Sequence, residues 1–126
     1  MPDLPPVLDL AAASALFRAL GTAPSEVVAV AYLDPKRSIL TMRHGVGGRK
    51  QVRLSVRCIV ADALAFSAAA VVIAHNHPSG DARPSERDLA FTRALVRSLA
   101  AVEVRLVDHL VIAGEAVTSL RASGAL

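Results

Sequence analysis

Two histidines at i and i+2, His75 and His77, are followed within fourteen residues by Ser85 and Asp88. Imidazole nitrogens and a carboxylate oxygen bind divalent transition metals. Two imidazoles with one carboxylate match the ligand count of a zinc site that keeps its fourth position open. Water at such a position is acidified enough to attack a carbonyl near neutral pH. Each piece also has a plainer reading: a histidine pair can be an ordinary polar strand end, and Ser85 with Asp88 can be a helix capping box and nothing more. The pieces in combination favour a metal clamp.

For those side chains to meet, the flanking segments must turn back on themselves. Ala70-Val71-Val72-Ile73-Ala74 is a short continuous apolar run, the pattern of a strand buried on both faces. Side chains alternate along a strand, so His75 and His77 project to one side and Asn76 to the other. Pro78 has no N–H for a ladder and Gly80 tolerates positive φ, so the strand stops and the chain turns. Ser85 then has N-cap chemistry, and Leu89, Thr92, Leu95, Val96 and Leu99 keep helical spacing behind it. This arrangement aims Asp88 at the strand end.

The full pattern, HxH followed by seven residues and then SxxD, resembles the JAMM motif of the JAB/MPN metalloprotease domains. The flanking HNHPSG and Asp108-His109 resemble the RadC-like branch, and the resemblance runs from about Leu10 to Gly114. It implies one Zn²⁺ per chain held by His75, His77 and Asp88, with Ser85 stabilising an oxyanion. It also implies a general base on an earlier element, and the glutamate that precedes the strand after the first helix is Glu26. Without the resemblance, Glu26 would read as a solvated carboxylate at a strand's entry. RadC-like sequences tend to carry a further glutamate in the helix before the metal strand, where this chain has Cys58. They also usually carry an N-terminal helix-hairpin-helix region, which is not expected in these residues. The implied fold is α/β, a mixed β-sheet flanked by helices in the JAB/MPN (cytidine-deaminase-like) architecture.

At 126 residues with 53% hydrophobic content, the chain is expected to be a single domain with a real core. Its lone Cys58 leaves neither a disulfide framework nor a cysteine zinc site. The longest uncharged apolar run, Ala63 to Ala74, is far short of the ~18 residues of a membrane span. MPDLPPVLDL lacks a basic region before an apolar block. A soluble, cytoplasmic protein with no membrane partner is expected.

Residues 1–8, with their prolines, read as an extended, loose lead-in. A helix is predicted from Asp9, with Leu10, Ala13, Phe17 and Leu20 on one stripe and Gly21 at its end. Strands are predicted over Val27 to Leu33, Ser38 to Met42 and Gln51 to Val56, with His44 to Gly48 as a flexible connection between the last two. Arg57 to Ala69 reads as the second helix. Late strands are expected over Glu103 to Val107, Leu110 to Ala113 and Ala116 to Leu120. Asp108-His109 falls between the first two of these. For both residues a structural role, or hydrogen bonding to a ligand side chain, is the favoured reading over direct ligation. Asn76 is placed in the same class.

Lys36, Arg37, Arg43, Arg49, Lys50, Arg53 and Arg57 are half of the fourteen Lys and Arg residues, and no Asp or Glu interrupts residues 35–57. Such a face attracts an acidic partner or a nucleic-acid backbone. One Tyr, three Phe and no Trp leave little for base stacking. A solvated basic face with weak, sequence-independent affinity for nucleic acid is therefore expected. The glycines after His44 lack the Lys-Ser/Thr ending of a phosphate loop, and a zinc deaminase needs a cysteine pair that is missing.

Two function classes emerge. The first is a zinc-dependent JAMM-type hydrolase acting on a peptide or isopeptide-linked protein. The second is a catalytically idle MPN-like binding module, or a RadC-like protein associated with DNA repair, in which the metal is only a structural clamp. No oligomeric state follows from the sequence.

Overall fold

The computed structural model describes residues 4–46 and 54–126. Asp9 caps α1 (Leu10–Phe17) by accepting the Ala12 N–H at 2.8 Å. The helix tightens into a 3₁₀ segment, Arg18–Thr22, before the chain enters β1 (Val27–Leu33). Gly21 is required by proximity: a Cβ there would collide with the carbonyl oxygen of Gly114 in a later turn. Next come β2 (Ile39–Val46), α2 (Val56–Ala65), β3 (Ala70–Asn76), α3 (Glu86–Ala101), β4 (Arg105–Ala113) and β5 (Ala116–Ser119).

The strands form one mixed sheet in the order β2-β1-β3-β4-β5. Only β3 and β4 pair in parallel, with α3 as their crossover, while the other pairs are antiparallel. β3 lies at the centre and is buried throughout, as its unbroken apolar run predicts. On one face of the sheet Ala29, Ala31, Val72, Ala74, Leu110 and Ile112 pack with Phe17 and Leu20. On the other face Val30, Tyr32, Val71 and Ile73 pack with Ile59 of α2 and with Leu95 and Leu99 of α3. The α/β expectation of a mixed sheet flanked by helices holds.

Several boundaries differ from the sequence reading. β2 continues to Val46, so His44, Gly45 and Val46 of the expected flexible connection belong to a strand, while Gly47 and Gly48 lie outside the described residues. Of the strand expected over 51–56, residues 51–53 lie outside the described residues, Leu54 is buried, and Ser55 caps α2 by accepting the Cys58 N–H. α2 stops at Ala65, because Ser67 adopts a φ of 53° and turns the chain toward β3. The lead-in is anchored: Val7 is buried and its N–H donates to the Arg37 carbonyl at 2.9 Å.

The largest correction concerns β4. It is one strand, and Asp108-His109 lies inside it. Val71 pairs with Leu106 but Val72 pairs with Asp108, so Val107 is an extra residue, a β-bulge. The bulge reverses the alternation. Val104 and Leu106 face α2 and α3, whereas Leu110 and Ile112 face α1. Arg121 braces the bulge, its Nε donating to the Val107 carbonyl at 2.6 Å and its Nη2 to that of Leu106 at 2.9 Å. Among the described residues no helix is long and apolar enough to cross a membrane.

Candidate metal centre

The carboxyl end of β3 delivers His75 and His77 to the sheet face that carries α2 and α3, because they continue the alternation of Val71 and Ile73. The His77 N–H donates to the Ile112 carbonyl at 2.8 Å, so the pairing with β4 extends through the second histidine. Gly80, at φ 91°, closes the turn with its N–H on the His77 carbonyl. Ser85 caps α3 in a reciprocal box: its Oγ accepts the Asp88 N–H at 3.0 Å, and its own N–H donates to Asp88 Oδ2 at 2.8 Å. The box locks Asp88 in the first turn of α3, facing the strand end.

Ligand-type atoms of three side chains converge there. His75 Nε2 and His77 Nε2 are 3.0 Å apart. His75 Nε2 lies 3.2 Å from Asp88 Oδ1, and His77 Nε2 lies 3.2 Å from Asp88 Oδ2. Ligand atoms bound tetrahedrally at about 2.0–2.1 Å stand about 3.3 Å from one another, so these spacings are close to those around an ion, with the two histidines facing different oxygens of the Asp88 carboxylate. Among the described residues, His75, His77 and Asp88 form a group that could hold a metal.

Electrostatics favours a cation at that point. Burial works to raise the Asp88 carboxyl, but the facing His75 imidazole and the Ser85 backbone N–H outweigh it and hold the group well below the usual carboxylate range. Asp88 is therefore anionic at neutral pH. His77 Nδ1 lies 2.8 Å from the Asp81 carbonyl oxygen, which can only accept, so Nδ1 carries the proton and Nε2 offers its lone pair inward. The loop that presents this carbonyl is clamped by the Arg83 guanidinium on both carboxylate oxygens of Asp81. That guanidinium holds the Asp81 carboxyl down at about 2.

The remaining residues singled out in the sequence divide by position. Glu26 is exposed and immediately precedes β1, in which Val28 pairs with His75. Continuing the same register sets Glu26 opposite His77, and antiparallel partners share a face. Asn76, on the opposite face, ties this segment down: its Oδ1 accepts the Val27 N–H at 2.6 Å and its Nδ2 donates to the Ser25 carbonyl at 3.0 Å. Asp108 points away from the metal group, accepting from the backbone N–H groups of His109 and Arg121 and from the Ser119 hydroxyl. It holds the β4 bulge together. His109 is buried behind His75, with its Nε2 2.8 Å from His75 Nδ1. Burial, reinforced by the neighbouring His75, pushes the His109 imidazole down to about 3, so the ring is neutral.

Thr92 had no assigned role in the sequence reading, where it counts only as one position on the inner stripe of α3. Its Oγ1 lies 2.6 Å from His109 Nδ1. The signal that could have found it is its spacing: one helical turn after Asp88, it is the hydroxyl on the face that carries the carboxylate.

Comparison with known proteins identifies the family. The family model described as the RadC-like JAB domain matches residues 9–125. The chain is 45% identical over 97 residues to a UPF0758 protein of Bordetella petrii, a match covering 75% of this chain and 43% of that protein. It is 44% identical over 108 residues to a UPF0758 protein of Methylibium petroleiphilum, covering 85% and 49% respectively. It is 39% identical over 127 residues to one of Cupriavidus pinatubonensis, covering 98% and 56%. The chain thus spans about half the length of the curated relatives it matches.

Proposed function

Because this chain belongs to the RadC-like JAB domain family, we propose that it is a zinc-dependent hydrolase of the JAMM type, cleaving a peptide or isopeptide amide bond. The observation that carries this reading is the convergence of His75 Nε2, His77 Nε2 and an ionised Asp88 carboxylate within 3.0–3.2 Å. Two nitrogens and one oxygen, with no cysteine among them, form a donor set suited to zinc with one position left for water or substrate. Zinc held there would supply Lewis-acid polarisation of the scissile carbonyl and bring the pKa of a water toward neutrality.

The chain's own groups provide the rest of the proposed chemistry. Glu26, across the register from His77, accepts the proton of the attacking water and passes it to the leaving amine. Its exposure leaves it open to solvent and substrate. Ser85 Oγ accepts the Asp88 N–H through a lone pair, which leaves its hydroxyl proton free to donate to the developing oxyanion. The same hydroxyl would thereby hold the helix start and stabilise the transition state.

Elemental analysis of the purified protein tests the metal, with about one equivalent of zinc per chain expected. His75→Ala and Asp88→Ala should each abolish it. Hydrolysis of a panel of isopeptide-linked and C-terminal peptide conjugates tests the reaction. Zinc at full occupancy with no turnover on any conjugate would favour a binding module in which the metal is only a clamp. No metal, and no uptake on adding Zn²⁺, would overturn the reading.

A further inference from the structure

Hydrogen-bond donors behind the metal group can be counted outward from the Asp88 carbonyl oxygen, which has no proton to give. Thr92 Oγ1 lies 2.7 Å from the Asp88 carbonyl oxygen and 2.6 Å from His109 Nδ1. A carbonyl oxygen only accepts, and a hydroxyl has one proton, so that proton goes to Asp88. Toward His109 the hydroxyl must then accept, and Nδ1 must carry an N–H. The buried His109 ring has no carboxylate against it and holds a single proton, so its Nε2 presents a lone pair. That lone pair faces His75 Nδ1 at 2.8 Å. His75 must donate there, so Nε2 is the nitrogen that can turn a lone pair to a metal.

We infer that Thr92 and His109 form a positioning relay that fixes His75 in the tautomer with the proton on Nδ1, so that Nε2 is committed to the metal. The relay closes on itself. It starts at the backbone carbonyl of Asp88 and passes through Thr92, His109 and His75 to a nitrogen 3.2 Å from the Asp88 carboxylate. One ligand residue therefore anchors the orientation of another. Both relay residues are buried, Thr92 1% and His109 2% exposed, so no water competes for these bonds. His77 reaches the same tautomer through the exposed Asp81 loop, whereas His75 is set from within the packed interface of α3 and β4. Without the relay, a metal-free His75 could place its proton on Nε2 and donate it to Asp88, filling the position the metal would take.

The relay rests on the metal reading for its purpose, but its proton positions do not, and the test separates the two. Long-range ¹H–¹⁵N correlation of the imidazoles in metal-free protein reads each tautomer directly, and both His75 and His109 are expected as Nδ1–H. A His75 ring protonated on Nε2, or a His109 ring protonated on Nε2, overturns the relay whether or not the protein binds metal. Zn²⁺ affinity, measured by competition with a chromogenic chelator, reads the consequence. Thr92→Val keeps the shape and removes the hydroxyl, and it is expected to weaken zinc about 10- to 100-fold, the usual effect of losing a partner behind a ligating histidine. Thr92→Ser restores the hydroxyl and should bind within a few-fold of the parent. Equal zinc affinity in Thr92→Val and the parent overturns the inference, as does Thr92→Ser binding as weakly as Thr92→Val. If the parent itself takes up no zinc, the metal reading fails while the tautomer spectra still decide the relay.

Discussion

Asn76 Oδ1 accepts the Val27 N–H at 2.6 Å, so the residue between the two converging histidines also holds the start of the strand that Glu26 precedes. One side chain on the far face of β3 thereby sets the distance between the proposed base and the proposed metal. Asn76→Ala would leave the part-buried Val27 N–H without its acceptor, at a cost of about 1 kcal/mol. Denaturant unfolding should show that loss. Zinc content should be retained while hydrolysis falls, because the ligands are untouched and Glu26 is no longer held in register. A variant that loses zinc together with activity would place Asn76 among the supports of the ligands instead.

Glu26→Gln is expected to keep folding and zinc binding and to lose about 10²- to 10⁴-fold in rate, the usual effect of removing a general base. The other glutamates are accounted for by their positions. Glu86 sits in the first turn of α3, where a carboxylate complements the helix dipole. Glu103 is exposed at φ 61° in a turn, and Glu115 is exposed beside Gly114. If Glu26→Gln turns over at the parent rate and Glu103→Gln or Glu115→Gln does not, the base is misassigned even with the metal site correct.

Stability of the metal-free protein should depend on pH through His109. Its folded pKa of about 3 lies below the unfolded value of 6.5, so the unfolded chain binds the extra proton first on acidification. The stabilisation is complete above 6.5 and declines as pH falls from there toward 3, with a limiting slope of about 1.4 kcal/mol per pH unit from this one group. His109→Gln should flatten that part of the profile in denaturant melts. An unchanged slope would mean that His109 is charged in the fold.

Nucleic-acid binding, if measured by fluorescence anisotropy, should be weak, indifferent to sequence and steeply reduced by salt. The basic run is less free than its composition suggests: the Arg43 Nε pairs with the Asp62 carboxylate at 3.3 Å, and that carboxylate also accepts the Tyr32 hydroxyl. Arg49, Lys50 and Arg53 lie outside the described residues. A tight, sequence-selective complex at physiological salt would instead support the DNA-associated reading of the domain.

The parts of the fold that were legible in the sequence are those governed by short-range rules. β3 is announced by its apolar run, α3 by the Ser85 cap and the stripe through Leu95 and Leu99, and the turn between them by Pro78 and Gly80. Those same rules bring His75, His77 and Asp88 together, since strand alternation and a first-turn helix position suffice. β4 was misread because the bulge at Val107 breaks the period-two pattern in its middle, so one strand reads as two with a polar pair between them. The role of Thr92 was hidden for a different reason. A hydroxyl on the inner stripe of a helix carries no mark of the partner it meets across the core, and that partner, His109, is delivered by the strand whose phase the bulge had obscured.

The bulge at Val107 also acts as a selector of charge. Were Val107 paired in the ladder and not bulged out of it, uniform pairing would set Asp108 opposite Ile73 and turn its carboxylate, in place of the neutral His109 ring, toward the back of His75. A carboxylate would accept the same Nδ1–H, but it would bring a second negative charge into a pocket that already holds ionised Asp88. With the imidazole there, a bound divalent cation is offset by a single carboxylate and retains net positive charge for whatever occupies its open position. A one-residue irregularity in a strand thus determines how strongly this centre would draw electrons from its substrate, without touching any of its ligands.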